Sequence, residues 1–191
     1  MKKLLPLLAL GLSGCLRFGA EPPEALLALS PAQTAPAGQT LTGTEDTSIA
    51  VGVPSAAQEL QTQRIPVRAT DTTIAYVKDA QWVENPNRLF TRLLMETIAA
   101  RTGRLVVGPR GQRGSPNRID GDLTMFGVDA ATGTAVVTFD ASYARGPDAP
   151  LQKRRFEARV PVSPIEARPV GAALNTAANQ VAAEVADWVG R

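Results

Sequence analysis

The residue types that carry most enzyme chemistry are nearly absent from this sequence. Its 191 residues include no histidine and one cysteine, Cys15. A nucleophile activated by histidine is therefore excluded, and so is a zinc site built from the usual cysteine and histidine ligands. Only Ser/Lys or carboxylate arrangements remain as possible catalytic sites, and none is visible, so we expect no metal and no cofactor.

Two other groups of residues have the spacing of chemical sites. Asp120 and Asp122 lie two residues apart, so on a strand their carboxylates would share one face. Their alternation with apolar neighbours marks that face as the solvated one, which argues against a catalytic or metal-binding pair. The run from Gly108 to Gly114 follows a strand but lacks the Gly-Lys-Ser/Thr ending of a phosphate-binding loop, and no helix follows it. We therefore predict a flexible hairpin loop there.

The single cysteine follows a short apolar segment at the start of the chain. Lys2 and Lys3 precede an apolar run from Leu4 to Leu12, which ends at the small pair Ser13-Gly14. This order is typical of a secretory signal, and the run is shorter than the ~20 residues that span a bilayer. The alternative, a buried core cysteine, fits this position poorly. Leu12-Ser-Gly-Cys15 instead resembles the lipobox of bacterial lipoproteins.

This resemblance implies a fate for residues 1–14 and for Cys15. In bacterial lipoproteins the cysteine thiol receives a diacylglyceryl group, the preceding peptide is removed, and the new amino terminus is acylated, for example with palmitate. Several acyl chains anchor a protein stably, at about 0.8 kcal/mol per buried methylene. Leu16 follows the cysteine where an aspartate would mark inner-membrane retention. The resemblance therefore implies a lipid anchor in the outer membrane, on its periplasmic face.

The charges balance once the signal is set aside. The chain has 20 basic and 18 acidic residues, and Lys2 and Lys3 lie in the signal. No nucleic-acid partner is therefore expected. Two local groups of cations remain. Residues 101–118 contain five arginines and no acid, which indicates either a solvated mobile surface or a contact with anionic lipid headgroups. The candidate headgroup contacts are Arg104, Arg110, Arg113 and Arg118, and the second group, a candidate partner-binding face, is Lys153, Arg155 and Arg159.

Composition divides the remaining chain into a tether and one domain. Residues 15–47 are rich in proline, alanine, glycine and threonine, which predicts a lipidated, flexible tether. Within it, the apolar residues 25–29 could pair as an edge strand. The domain is expected to occupy residues 48–191.

The domain shows both strand and helix periodicity. Strands are predicted at 49–53, 65–68, 74–77 and 105–107, and Pro66 should place the second of these at a sheet edge or at a strand end. Asn85, Pro86 and Gly103 predict the cap, the start and the end of a first helix. A meander follows, in which Ile119, Gly121, Leu123 and Met125 should face one way.

The later segments complete the pattern. Ala135, Val137, Phe139, Ala141 and Tyr143 should face inward on the next strand, and residues 153–160 alternate between charged and apolar. A second helix is predicted from Pro169, with Trp188 on its apolar stripe. The expected fold is α+β: a two-layer domain with a mostly antiparallel sheet and two helices packed on one face.

The order of these motifs is similar to that of a known family. The lipobox and tether are followed by Ile49 to Pro54, read as Ile-x-Val-x-Val-Pro, and by Arg64 to Arg68. The spacing of Tyr76, Trp82 and Pro86 before the helix is the most telling feature, and Phe126 stands in a strand before a short hairpin. Together they resemble the ABC-type transport auxiliary lipoproteins, the PqiC/YmbA-like components of lipid-trafficking systems. Two positions depart from the family pattern: Pro66, where an aromatic or aliphatic residue is common, and Gly127, where an acid is common.

The resemblance implies a non-enzymatic auxiliary role in lipid transport between the inner and outer membranes. The implied partners are an MCE-domain (mammalian cell entry) protein and, through it, an ABC permease with its ATPase. A structural envelope lipoprotein without a transport role is the main alternative. An envelope hydrolase is disfavoured, because the sequence shows no nucleophile beside a base.

Overall fold

The computed structural model describes residues 25–111, 115–146 and 148–190. The predicted signal peptide, Cys15 and Arg113 lie outside these residues. The strands are β1 (Ile49–Val51), β2 (Ser55–Ala56), β3 (Arg64–Thr70), β4 (Thr73–Gln81), β5 (Val106–Val107), β6 (Asn117–Asp129), β7 (Thr134–Arg145) and β8 (Gln152–Pro161). The helices are α1 (Pro86–Thr102) and α2 (Ala167–Val189), with a short 3-10 helix at Gln58–Leu60.

The sheet is organised around β6. One side of β6 pairs antiparallel with β7 along its whole length, and β7 pairs antiparallel with β8. The other side is divided among three parallel partners: β1 and β2 toward the start of β6, and β3 at its end. Strands β5 and β4 then extend the sheet beyond β1 and β3. The longest pairings are antiparallel, as the one-sided alternation predicted.

Both helices cover one face of this sheet, which confirms the two-layer α+β prediction. Phe90 of α1 lies edge-on to Phe139 of β7, with ring centroids 5.2 Å apart. Helix α2 packs along α1 and against β7 and β8. All five residues predicted to face inward on β7 are buried: Ala135, Val137, Phe139, Ala141 and Tyr143.

The ends of the helices confirm most of the predicted signals. Helix α1 begins at Pro86, and Gly103 follows its last residue with a φ of 66°, a left-handed conformation that glycine adopts without strain. Asn85 occupies the predicted cap position, but its side chain makes no capping hydrogen bond, and its amide nitrogen donates to the Gln61 carbonyl at 3.3 Å. Helix α2 begins two residues before Pro169, which is tolerated in the first turn because nitrogens there lack intrahelical acceptors.

A bulge changes the inward face of β6. The pairing with β7 shifts register between Leu123 and Met125. One extra residue reverses the alternation beyond it, so Phe126 and Val128 are buried while Met125 is only half-buried. The prediction that Met125 continues the inward face of Leu123 is therefore wrong.

Pro66 does not place β3 at a sheet edge, because β3 lies between β4 and β6. The strand tolerates the proline near its start. The β3–β4 pairing is irregular between Arg64 and Pro66, and the pairing with β6 begins only at Val67. The two departures from the family pattern also meet here. A Cβ on Gly127 would overlap the Pro66 carbonyl oxygen and would lie 2.9 Å from its ring Cγ, so the proline fills the space that a larger residue 127 would need.

Part of the segment predicted as a tether lies on the domain. The backbone of Leu27 forms a parallel bridge beside Trp82, with 2.8 Å hydrogen bonds to Gln81 and Val83. Further along, the amides of Ser30 and Ala32 donate to the side chains of Asn175 and Asn179 at 2.8 and 2.7 Å. The predicted pairing of residues 25–29 with the sheet is thus present as a single bridge.

Candidate functional site

Each of the paired aspartates contacts a polar neighbour at the surface. Asp120 accepts a hydrogen bond from Nη2 of Arg118 at 2.8 Å, which raises the pKa of that guanidinium. Asp122 is exposed and accepts from the hydroxyl of Ser55. No cluster of three metal-ligating side chains occurs in the part of the chain that the structure describes. The two carboxylates therefore act as partners of a cation and a hydroxyl at the surface.

The candidate partner face lies on β8, on the side of the sheet away from the helices. Lys153, Arg155 and Arg159 are exposed, and they alternate with the inward-facing Phe156 and Ala158. Among the described residues, β8 pairs only with β7, so its outer edge is open. The sequence prediction of one wet, charged face and one buried face is confirmed here.

In the folded chain, Arg155 and Arg159 each form an ion pair with an acid of another strand. Arg155 makes a bidentate contact with Asp140 of β7, from Nε to Oδ1 at 2.6 Å and from Nη2 to Oδ2 at 2.7 Å. Arg159 contacts Glu157 at 2.8 Å and Asp129 at 3.4 Å. The β8 face therefore carries compensated pairs of charges, and Lys153 is the one of the three candidates for which the described residues show no ion pair.

The pKa values of these three carboxyl groups reflect the same contacts. The hydrogen bond from Arg155 lowers the pKa of Asp140 below its usual range. The hydrogen bond from Arg159, helped by one from the Thr138 hydroxyl at 2.9 Å, lowers the pKa of Glu157. Burial raises the pKa of Asp129, but hydrogen bonds from Thr132, Ala131 and Arg159 outweigh it and lower that pKa overall. All three carboxylates are thus held charged at neutral pH.

Three of the arginines of residues 101–118 that the structure describes are held by three different neighbours. Arg101 contacts Asp187 of α2 at 2.6 Å, and Nε of Arg104 donates to the carbonyl of Thr47 at 2.9 Å. Arg118 pairs with Asp120, as described above. Arg110, another of the candidate headgroup contacts, lines a hollow of the surface. One distant acid, Asp187, and one neighbouring acid, Asp120, therefore contact the two ends of this acid-free stretch.

That hollow brings in two arginines that the sequence analysis did not single out. It has a volume of about 490 Å³ and lies between α1 and the loop after β5. Arg88 and Arg92 of α1 line it together with Arg110, and Glu84 is the acid on its wall. The four-residue spacing of Arg88 and Arg92 places both on one helix face, and this was the available signal. On its own this spacing is typical of a solvated helix face, because it does not show that the loop after β5 lies opposite.

A second hollow adjoins the first. It measures about 390 Å³ and is lined by Leu29 and Pro31 of the N-terminal segment and by Leu89, Leu93 and Glu96 of α1. Arg92 and Met95 belong to both hollows. Neither α1 nor α2 carries an apolar stretch long enough to cross a membrane within the residues described.

Comparison with known proteins identifies relatives of this chain. The model of a family described as ABC-type transport auxiliary lipoprotein component matches residues 27–186. A crystal structure of a Xanthomonas campestris protein assigned to the DUF330 family superposes with a TM-score of 0.72 at 21% identity, covering 86% of this chain and 93% of that one. A second crystal structure, of an uncharacterized protein, gives a TM-score of 0.66 at 12% identity, covering 86% and 99% of the two chains. At these identities the structural matches show a shared fold. No curated protein matches the chain.

Proposed function

We propose, from the premise that this chain belongs to the family of ABC-type transport auxiliary lipoprotein components, that it serves a lipid transport system between the inner and outer membranes. Cys15 carries the lipid anchor, and the domain sits at the periplasmic face of the outer membrane. Its partner is an MCE-domain protein, which links it to an ABC permease and ATPase. The family match over residues 27–186 is the observation that carries this proposal.

The geometry supports a binding role in this system. The open edge of β8 and its alternating charges form a rigid surface, because the strand is held along its length by β7. Exposed strand edges and complementary charges are common means of protein recognition. We therefore place the partner on the β8 face, with Lys153, Arg155 and Arg159 as its contacts. We assign a weaker electrostatic attraction to anionic lipid headgroups to the loop that carries Arg110 and Arg113.

A pull-down of the MCE-domain protein tests the proposed partner face. The variant replaces Lys153, Arg155 and Arg159 by glutamine, which removes the cations without placing like charges opposite Asp140. We expect weaker capture of the partner and unchanged flotation with anionic vesicles. The matched variant, Arg110→Gln with Arg113→Gln, should lower flotation only, and more so at low salt because screening acts over roughly 8 Å at physiological ionic strength. Loss of partner capture in the loop variant alone would invert the two assignments.

The alternative is a structural envelope lipoprotein with no transport role. This alternative would be favoured if the intact, folded protein is purified and no permease, ATPase or MCE-domain protein copurifies with it. A gene for an MCE-domain protein beside this gene would favour transport.

A further inference from the structure

The outer edge of β8 has a regular row of backbone groups without a partner in the part of the chain that the structure describes. The Val162 amide donates to the Gly133 carbonyl at 2.8 Å, and the β7–β8 pairing continues from there without a register shift. Because backbone groups alternate between the two sides of a strand, the even-numbered residues of β8 bond toward β7. The outward N–H and C=O groups therefore belong to Lys153, Arg155, Glu157 and Arg159.

Both ends of this row are defined by the sequence. Pro161 occupies the next outward position and has no N–H to donate, so the row of donors ends at Arg159. Leu151, whose residue is 63% exposed, directly precedes the strand at the other end. The edge thus offers alternating donors and acceptors from Lys153 to Arg159, with an apolar side chain just before them.

The strand also has an excess of positive charge. Its charged residues are four cations and one acid: Lys153, Arg154, Arg155, Arg159 and Glu157. Lys153 and Arg154 form no ion pair with any described residue. Arg154 instead lies over the ring of Phe156, 4.8 Å from its centroid.

The two paired arginines of the edge retain unused donors. Arg155 donates from Nε and Nη2 to Asp140, and Arg159 donates from Nε to Glu157 and from Nη1 to Asp129. A guanidinium group has five N–H donors. Each arginine can therefore bind a further carboxylate while it keeps its present partners.

These charges select among the possible occupants of the edge. Cations along an edge strand oppose pairing with a copy of the same strand, because like net charges would meet across the new ladder. An acidic segment has the complementary charge, since its carboxylates accept from guanidinium and ammonium donors. The edge therefore favours an acidic strand of another protein over a second copy of β8.

We propose that the β8 edge binds an extended acidic segment of a partner protein, which adds an antiparallel strand to the sheet. Its acidic side chains lie at alternate positions, opposite Lys153, Arg155 and Arg159, and its backbone pairs with the outward groups of β8. Antiparallel pairing is the more stable per residue and continues the order of β6, β7 and β8. The inference deepens the proposed function by naming the chemistry of the partner segment, and its biological meaning rests on that function.

A synthetic nine-residue peptide, in which four glutamates alternate with valines, tests the charge recognition. The labelled peptide is titrated with the purified full chain in an uncharged detergent, and binding is measured by fluorescence anisotropy. We expect it to bind at least about tenfold more tightly than the same peptide with lysines in place of the glutamates, since one charge-assisted hydrogen bond changes affinity by about that factor. Equal affinity for the two peptides would overturn the charge recognition.

Backbone methylation of the peptide distinguishes strand pairing from charge attraction alone. In an antiparallel pair with the outward groups of β8, the glutamate amides face β8 and the valine amides face away. N-methylation of the glutamates should therefore weaken binding at least about tenfold, because the pairing hydrogen bonds are lost. N-methylation of the valines is the matched control and should leave binding unchanged. Equal affinity of the two methylated peptides would overturn the strand addition.

Hydrogen exchange shows where the peptide pairs. In the free chain the amides of Arg155 and Glu157 face outward and should exchange fast, whereas those of Phe156 and Ala158 bond toward β7. The glutamate peptide should slow exchange at the first two amides and leave the other two as they are. Slowing on β4 and not on β8 would overturn the assignment to this edge.

Variants of the chain test the same edge. Replacement of Lys153, Arg155 and Arg159 by glutamine should weaken binding of the glutamate peptide at least about tenfold. The matched control replaces three exposed cations of other elements by glutamine: Arg68, Lys78 and Arg168. All six side chains are exposed, so thermal unfolding, measured alongside, should change little. An equal loss of binding in the control would overturn the β8 site.

Two further measurements separate this inference from the proposed function and from self-association. The unlabelled glutamate peptide is added to the pull-down of the MCE-domain protein, where we expect it to compete. Peptide binding without competition would overturn the proposed partner and leave the acidic-strand site standing. Capture of the partner without any peptide binding would overturn the strand addition and leave the proposed function standing. A dimer in sedimentation of the free chain that the peptide dissociates would overturn the choice of occupant in favour of a second copy.

Discussion

We propose that membrane attachment depends on Cys15, the cysteine of the lipobox-like Leu12-Ser-Gly-Cys15. With a serine there, no thiol is available to accept the diacylglyceryl group, so the acyl chains that hold the protein at a bilayer are never added. We predict that Cys15→Ser releases the domain into the soluble fraction and leaves the signal uncleaved or misprocessed. Mass spectrometry of the wild-type protein should show acyl mass on residue 15. An unmodified thiol at that position would contradict the prediction.

The sequence predicts that both tryptophans are largely buried, Trp82 just before the first helix and Trp188 on the apolar stripe of the second, and the structure shows a difference between them. Trp82 is fully buried and lies edge-on to Phe126, with ring centroids 5.5 Å apart. Trp188 is only half-buried, with its ring 5.5 Å from the rings of both Tyr143 and Phe156. The expectation is confirmed for Trp82 and is wrong in degree for Trp188, which stands in the last turn of α2 where solvent reaches one side.

This difference predicts unequal costs of truncation. Trp82→Ala should lower the free energy of unfolding by about 3–5 kcal/mol, the usual range for deleting a large buried aromatic. Trp188→Ala should cost clearly less, because part of its surface is already in water. Urea unfolding of the two variants measures both values. Equal losses would show that Trp188 packs as tightly as a core residue.

At the scale of elements, the sequence predicted the helices and strands that depend on local pattern. It did not predict features that depend on pairing between distant strands. Periodicity and capping residues were sufficient for α1 because proline, the apolar stripe and glycine all act within the helix itself. The bulge in β6 and the inner position of β3 depend on pairings between segments far apart in sequence. The acids opposite the arginines were missed for the same reason: Asp140 and Asp187 reach Arg155 and Arg101 only in the folded chain.

The contact between β3 and β6 predicts a sensitive glycine. Gly127→Ala should destabilise the domain, because the new Cβ would overlap the backbone of Pro66, which cannot move without displacing β3. Gly171→Ala is the matched control. Its Cβ would meet the side-chain end of Leu27, at 2.9 Å, and that side chain can rotate away. Thermal unfolding should show the larger loss for Gly127→Ala, and the reverse order would contradict this account of the strand pairing.

The outer face of β7 and β8 predicts a dependence of stability on acid. Asp140 and Glu157 have lowered pKa values in the folded state, so their contribution is complete above the unfolded values and is lost as the pH falls through the folded ones. The affected window lies below about pH 4, and the effect should be small because these ion pairs are solvent-exposed. Urea midpoints at pH 7 and pH 3 measure it. Arg155→Gln with Arg159→Gln should flatten the change, and an unaltered slope would contradict the assignment to these pairs.

The whole molecule is an anchored domain whose distance from the membrane is limited by its N-terminal segment. The chain meets the domain at Leu27, twelve residues after Cys15. At about 3.3–3.6 Å per extended residue, that stretch reaches at most about 40 Å. A free tether ending at residue 47 would reach much further. Docking at Leu27 therefore limits how far the domain can lie from the proposed anchor.

The asparagines of α2 should control this docking. The Asn179 side chain accepts from the Ala32 amide at 2.7 Å and donates to the Ser30 carbonyl at 2.9 Å, and Asn175 accepts from the Ser30 amide. Without them the backbone of residues 30–32 loses its partners and regains its conformational freedom. We predict that Asn175→Ala with Asn179→Ala speeds hydrogen exchange at Ser30 and Ala32. Leu27, which bonds to Gln81, should stay protected.

The same variant should leave the effective tether unchanged, because Leu27 lies nearer the proposed anchor than residues 30–32 and keeps its bridge beside Trp82. Energy transfer between a dye on the exposed Arg168 position, introduced as Arg168→Cys, and acceptor lipids in the anchoring vesicle should therefore stay at the value of the wild-type protein. Thr176→Ala is the control: its hydroxyl is exposed on the same helix and, among the described residues, bonds to the Ala172 carbonyl of α2 at 3.1 Å. Lower energy transfer in the asparagine variant, but not in the control, would show that the Leu27 bridge opens together with residues 30–32.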